Sequence, residues 1–157
     1  MIIRLMQKED LPLILEAEQR LYLNPWNKEA YLQELEQNKF AYLFVLCEEG
    51  KIAGYYGFWL VDDYATVTKI GVLPEFQGHG LAKILVQDLL SRCQKAEVSS
   101  IDLEVRESNS KAIALYQEFN FKAVHIRKNY YPDGENAILM LKKLKEEDSY
   151  ERIHLGN

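Results

Sequence analysis

The sequence predicts a mixed α/β domain: a mainly antiparallel sheet with one β-α-β unit near the middle, flanked by helices. Three observations predict it. Between residues 41 and 73, runs rich in β-branched and aromatic residues are separated by tight turns. Between residues 82 and 93, apolar residues recur with helical period. After that stripe the pattern returns to strands, one of them strictly alternating.

Ile2 to Leu5 reads as an opening strand. Asp10 is expected to cap a helix beginning near Leu11, with Pro12 tolerated in its first turn and Leu11, Ile14, Leu15 and Glu18 on neighbouring turns. Asn24-Pro25-Trp26-Asn27 breaks it, and Asn27 is placed to cap a second short helix through Leu35. Ala41 to Cys47, Ile52 to Val61 and Tyr64 to Leu73 form a meander. Glu48-Glu49-Gly50-Lys51 and Asp62-Asp63 are its turns. Pro74 ends that run, and a glycine-containing turn leads into a helix to about Lys95, with Ala82, Leu85, Val86, Leu89, Leu90 and Cys93 on one stripe. Ile101 to Val105 is a strand and Asn109 to Phe119 a helix. Lys122 to Arg127 and Ala137 to Leu141 are strands around Pro132-Asp133-Gly134. Residues 1–144 read as one domain and 145–157 as a polar C-terminal tail.

Composition narrows the function. The 157 residues are 48% hydrophobic and 27% charged, ordinary for a globular chain able to bury a core without staples. Nineteen basic residues against twenty-four acidic ones leave a net charge of -5, the wrong sign for a protein that lives on phosphate contacts, so direct nucleic-acid binding is not expected. No run of about 18 apolar residues is present, so no membrane span is expected. Charges at Arg4, Lys8, Glu9 and Asp10 interrupt any signal-peptide core. Cys47 and Cys93 show no pairing or C-x-x-C pattern, which suits a reducing cytoplasm. His79, His125 and His154 lack metal-ligand spacing, so no metal is expected.

Ile70-Gly71-Val72-Leu73-Pro74-Glu75-Phe76-Gln77-Gly78-His79-Gly80-Leu81-Ala82-Lys83 is the most informative segment. A strand passes through a glycine turn into a helix, whose first N–H groups have no internal partner and attract anions. A dinucleotide fingerprint would need glycine at Lys83, and a P-loop would need Gly-Lys followed by Ser or Thr. A tight turn that simply requires glycine explains the residues equally well when they are taken alone.

Gln77-Gly78-His79-Gly80-Leu81-Ala82 resembles the Q/R-x-x-G-x-G/A pyrophosphate loop of the GNAT acetyltransferases. Asn24-Pro25-Trp26-Asn27, the run from Leu103 to Tyr116, and the run from Asn129 to Ala137 are similar to the branch of that family that acetylates N-terminal alanine of ribosomal proteins. The likeness covers roughly residues 1 to 144. Two departures stand out: Gly78 replaces a common arginine, removing one phosphate contact, and Ala82 replaces the final glycine, an accepted variant. The resemblance implies acetyl transfer from acetyl-CoA to an amine. It places the pantetheine arm along Ile70, Gly71 and Val72, and the pyrophosphate on the backbone of Gly78, His79, Gly80, Leu81, Ala82 and Lys83. Asn109 matches a further acetyl-CoA contact, and it also suits a helix N-cap.

In Ile101-Asp102-Leu103-Glu104-Val105-Arg106 one face is apolar and the other polar, whereas interior strands of α/β sheets read apolar on both. The polar face either borders a wet cleft or belongs to an edge strand. The resemblance makes Glu104 the general base, accepting the amine proton directly or through a water. Tyr116 reads as a core aromatic by its spacing, and the resemblance makes it the general acid that protonates the departing CoA thiolate. His79 belongs with the loop backbone. Cys47 and Cys93 sit in apolar elements as filler rather than as acyl carriers.

Pro25, Trp26 and Tyr130 resemble the loops that flank an incoming N-terminal peptide of a ribosomal protein; the same aromatics would also suit mutual packing. The expected function is N-alpha-acetylation of a small first residue by direct transfer. The alternatives are a GNAT acting on lysine side chains or polyamines, or a non-catalytic acyl-CoA sensor, which would need neither Glu104 nor Tyr116.

Overall fold

A computed structural model describes residues 1–145; of the expected polar tail, the segment from 146 on lies outside the described residues. The chain forms two compact units, Met1–Val61 with Thr66–Arg92, and Asp62–Ala65 with the chain from Cys93 onward.

In the first unit, strands β1 (Ile2–Leu5), β2 (Ala41–Glu48), β3 (Lys51–Val61) and β4 (Tyr64–Val72) lie side by side in that order. β2 and β3 pair antiparallel with Phe44 opposite Tyr56, and the register shifts between Leu46 and Cys47. Their turn works because Glu49 and Gly50 both adopt left-handed backbone, φ 49° and 78°, which matches the twist of the hairpin. Helix α1 (Leu11–Leu21) buries Leu11, Ile14 and Ala17 against Val45, Tyr55 and Leu73. Along α3 (Leu81–Lys95), Leu85, Val86, Leu89 and Cys93 are buried while Ala82 and Leu90 are partly covered, as the stripe predicts.

Two local expectations need correction. Asp10 does not cap α1. It ends a 3-10 turn (Lys8–Asp10), where its carboxylate accepts from the Gln7 backbone N–H at 2.8 Å and from both terminal nitrogens of Arg4 at 2.8 and 2.9 Å. Those bonds hold the Asp10 carboxyl below the usual carboxylate range, the Arg4 hydrogen bonds being the largest cause. The second helix, α2 (Lys28–Leu32), is capped by Asn27, whose side chain accepts from Ala30 N–H at 2.9 Å. It does not continue as α-helix to Leu35, because Gln33–Gln37 widens into a π turn in which Asn38 N–H reaches the Gln33 carbonyl, five residues back.

Asp10→Asn is expected to lower stability by about 1–3 kcal/mol at neutral pH, the scale for a buried carboxylate that serves a cation and a backbone N–H, with exposure of Arg4 reducing the ion-pair share. Because the folded pKa is depressed, this stability is present above the unfolded value and is lost as pH falls through the folded one. Thermal melts of wild type and variant should therefore converge in strong acid.

In the second unit, β5 (Ser100–Arg106), β6 (Lys122–Arg127) and β7 (Ala137–Lys143) are antiparallel, with β7 in the middle. β5 buries Ile101, Leu103 and Val105 and leaves Asp102, Glu104 and Arg106 half-buried on its other face. Every residue of β6 is exposed. Helix α4 (Ser110–Glu118) is capped by Asn109, whose side chain accepts from Ala112 N–H at 3.1 Å. Among the described residues, seven strands and four α-helices realise the mixed α/β class read from the sequence.

Candidate active site

β4 ends at Val72, a short turn at Pro74–Phe76 follows, and the loop from Gln77 enters α3 at Leu81. Gly78 and Gly80 take φ of 84° and 76°, where a side chain is strained, and an added Cβ on either would meet open space. Glycine is therefore required here by backbone conformation rather than by packing, and the concave side of the loop stays accessible. The first N–H groups of α3 precede any intrahelical acceptor, and the bond from Ile84 N–H to the Gly80 carbonyl is long at 3.4 Å. A backbone donor set of this kind, at the start of a 15-residue helix, fits a pyrophosphate. The His79 ring turns back, its Nδ1 3.0 Å from the Gln77 carbonyl oxygen, so its side chain is engaged within the loop.

Ile70, Gly71 and Val72 are held closely from one side. Tyr22 OH donates to the Ile70 carbonyl at 2.6 Å, and Gln77 Nε2 donates to the Val72 carbonyl at 3.0 Å. A Cβ on Gly71 would come within 3.0 Å of Tyr22 Oη and 3.3 Å of Tyr55 Cζ, so glycine there lets two tyrosines close on the strand. Gly80→Val should raise the KM for acetyl-CoA by about tenfold or more, given about 1–2 kcal/mol for forcing a branched residue into left-handed backbone. His79→Ala should change that KM by less than about twofold; equal losses in a steady-state titration would assign the side chain a binding role.

In the second unit, Glu104 stands on the half-buried face of β5. Its Oε1 lies 3.0 Å from Arg127 Nε, the guanidinium reaching across β7 from β6. Tyr130 bonds the same carboxylate, and that bond, ahead of burial, raises its phenol above the ordinary value. Tyr130 is itself 51% exposed and meets the Tyr131 ring edge-on at 5.2 Å. The surrounding loop is pinned: Arg106 binds Asp133 and Glu135 at 2.9 Å each and lies 4.1 Å over the Tyr131 ring. Glu135 accepts from Ser108 N–H at 2.8 Å, and Asn136 accepts from Asn129 N–H at 3.0 Å. Glu104 thus presents, from strand β5, a carboxylate between a cation and the phenol of a pinned loop.

Tyr116 lies on α4 with its ring edge-on to buried Phe121 at 5.8 Å, and burial pushes its phenol well above the usual range. It therefore holds its proton across neutral and mildly alkaline pH, as a donor must. Asn109 spends its carbonyl oxygen on the cap of α4. Cys93 is fully buried and burial pushes its thiol up to about 11, so it is no nucleophile at neutral pH.

Trp26 is half-buried and leans on Tyr31 at 5.2 Å, with Pro25 beside it also partly covered. Beneath it lies a cluster that sequence reading missed. Glu18, fully buried, accepts from Trp26 N–H and Lys69 Nζ, both at 2.9 Å, and from Tyr55 OH at 2.5 Å. The available signal was an acidic residue at an apolar-stripe position of α1. Arg127 was missed as well, since nothing in a short exposed strand marks which residue two strands away it will reach.

The comparisons now bear on this geometry. The family model for the acetyltransferase (GNAT) family matches residues 11–121. The chain belongs to the GNAT family. As such it is an N-acetyltransferase, and the names of similar proteins agree. An Escherichia coli (strain K12) protein named ribosomal protein bS18-alanine N-acetyltransferase is 38% identical over 139 residues, covering 86% of this chain and 92% of that one. A Haemophilus influenzae protein of the same name is 38% identical over 135 residues, covering 83% and 90%. The crystal structure of the ribosomal-protein-S18-alanine N-acetyltransferase from Escherichia coli superposes with a TM-score of 0.86 at 35% identity, over 94% of this chain and 96% of that one. Among the described residues of this GNAT chain, no helix is long and apolar enough to cross a membrane, and no cluster of His, Cys, Asp and Glu has the makings of a metal site.

Proposed function

We propose that this GNAT enzyme transfers the acetyl group of acetyl-CoA to the α-amine of an N-terminal alanine, or similar small residue, of ribosomal protein bS18. The observation that carries the reading is likeness along nearly the full length of enzymes named for that reaction, 38% identity over 92% of the Escherichia coli chain. Residues 1–144 act as one N-acetyltransferase domain, and the enzyme works in the cytoplasm, where ribosomal proteins are made.

In this reading Gly78, His79, Gly80, Leu81, Ala82 and Lys83 hold the pyrophosphate of acetyl-CoA through the loop backbone, and Ile70, Gly71 and Val72 hold its pantetheine arm. Asn109 adds a contact from the start of α4. Pro25, Trp26 and Tyr130 flank the peptide. Glu104 accepts the proton of the attacking amine as the nitrogen bonds to the thioester carbon. Tyr116 gives its proton to the sulfur as the carbon–sulfur bond breaks, so the products are an N-acetyl peptide and CoA thiol. Proton transfer from a phenol to a thiolate is uphill in water, where the ordinary values are about 10 and 8.5, so Tyr116 acts as charge develops on sulfur rather than before.

The test is to incubate the enzyme with acetyl-CoA and a panel of N-terminal peptides, blocked lysine peptides and polyamines while following CoA release. Acetylation of the alanine-first peptide above all others is expected. Preference for spermidine or a blocked lysine peptide would assign a different amine, and CoA release from none would leave a binding protein.

A further inference from the structure

The buried Glu18–Lys69 pair takes no part in the chemistry above, yet it sits under the proposed peptide loop and beside the strand proposed to hold acetyl-CoA. Lys69 Nζ lies 3.9 Å over the Tyr22 ring and 5.0 Å over the Trp26 ring, with Glu18 Oε1 at 2.9 Å. The same Oε1 accepts from Trp26 N–H, so one oxygen fixes both the backbone of Trp26 and the cation beneath its ring. Tyr22, the other ring over the cation, donates to the Ile70 carbonyl at 2.6 Å. Tyr55 donates to Glu18 and packs with Tyr22 on the face of Gly71. The cluster therefore links Trp26 to Ile70 and Gly71 through four side chains.

A fully buried ion pair is a poor device for stability alone, because desolvation offsets most of its attraction and an apolar pair of equal volume does as well. Burial lowers the Lys69 pKa, which records that desolvation cost. What the pair adds is geometry: a cation between two rings orients both, and a carboxylate fixes the cation.

We propose that Lys69, held by Glu18, is a positioning residue that sets the Trp26 loop for peptide entry alongside the Ile70–Val72 strand. This rests on the N-terminal peptide reading of the site. Removal of Lys69 alone strands a buried carboxylate, so Lys69→Met should lower the melting temperature and is uninformative by itself. Glu18→Gln with Lys69→Met removes both charges and keeps an acceptor for Trp26 N–H. That double variant should recover the melting temperature. Its KM for the alanine-first peptide should nevertheless stay about five- to thirtyfold above wild type, the span from an exposed to a desolvated cation–π contact, with acetyl-CoA KM within about twofold.

A second readout needs no turnover. The chain has two tryptophans, so Trp59→Phe leaves Trp26 as the sole tryptophan, excited selectively at the red edge where tyrosine does not absorb. In that background the double variant should show red-shifted Trp26 emission and easier acrylamide quenching, whereas Lys69→Arg, which keeps a cation over the rings, should stay nearer wild type. Peptide KM and Trp26 emission that return to wild type together with the melting temperature would overturn the proposal and leave the pair a folding element. Failure of the wild-type enzyme to acetylate the peptide would overturn the substrate reading instead, and Trp26 emission would then decide the positioning role by itself.

Discussion

Glu104→Gln is expected to lower kcat by about 10²–10⁴-fold, the usual worth of a positioned general base, while folding and acetyl-CoA KM stay close to wild type. The amide keeps the shape of the carboxylate on the half-buried face of β5, and its one acceptor oxygen can still serve Tyr130 or Arg127. Arg127 is 46% exposed, so water takes over its charge with little loss of stability. Raising the pH should rescue part of the lost rate, because the substrate amine then arrives already deprotonated. Tyr116→Phe should also lower kcat, but without alkaline rescue, since the missing proton belongs to the leaving group. Unchanged turnover in Glu104→Gln would place the base elsewhere.

The position of Glu104 was legible because strand alternation is a strong constraint. Ile101, Leu103 and Val105 had to share one face, which forces Asp102, Glu104 and Arg106 onto the other. The acid–base role proposed for it was not legible from alternation; only the likeness of the surrounding run carried it. The glycine turn before the helical stripe was equally readable, and the structure gives Gly78 and Gly80 left-handed backbone there; the anion-binding use of that turn was not readable from the glycines alone. Local hydrogen-bond choices were not. Asp10 had two geometrically sound uses, capping α1 or binding Arg4 and Gln7 N–H, and a guanidinium six residues earlier in the chain decided between them. The π turn at Gln33–Gln37 depends on where Asn38 N–H finds its carbonyl, a single bond that no periodicity encodes. Glu18 and Lys69 are 51 residues apart, and partners so distant in sequence become visible only once α1 is laid against β4.

A peptide beginning with alanine is expected to outperform the same peptide N-blocked and carrying an internal lysine by up to roughly two- to three-hundred-fold in kcat/KM at pH 7.5, from amine supply alone. Peptide α-amines titrate at about 7.7–8.0 and lysine side chains at about 10.4, so about a third of the former are neutral at that pH against about a tenth of one per cent of the latter. Lysine's greater intrinsic nucleophilicity offsets part of this advantage, and the loops that carry Trp26 and Tyr130 must supply the remaining selectivity by admitting a chain end. The two contributions separate by pH. Supply converges as pH rises towards 9, so the measured preference should narrow, while the share set by the loops should persist. Tyr130→Phe removes only the hydroxyl that bonds Glu104, whereas Tyr130→Ala also removes an exposed ring from the proposed peptide path. Tyr130→Ala and Trp26→Ala should therefore raise peptide KM with acetyl-CoA KM nearly unchanged, and should flatten the part of the preference that survives at pH 9. A preference at pH 9 no larger than the roughly 25-fold that amine supply still predicts there would mean that supply alone selects the substrate and that neither loop discriminates.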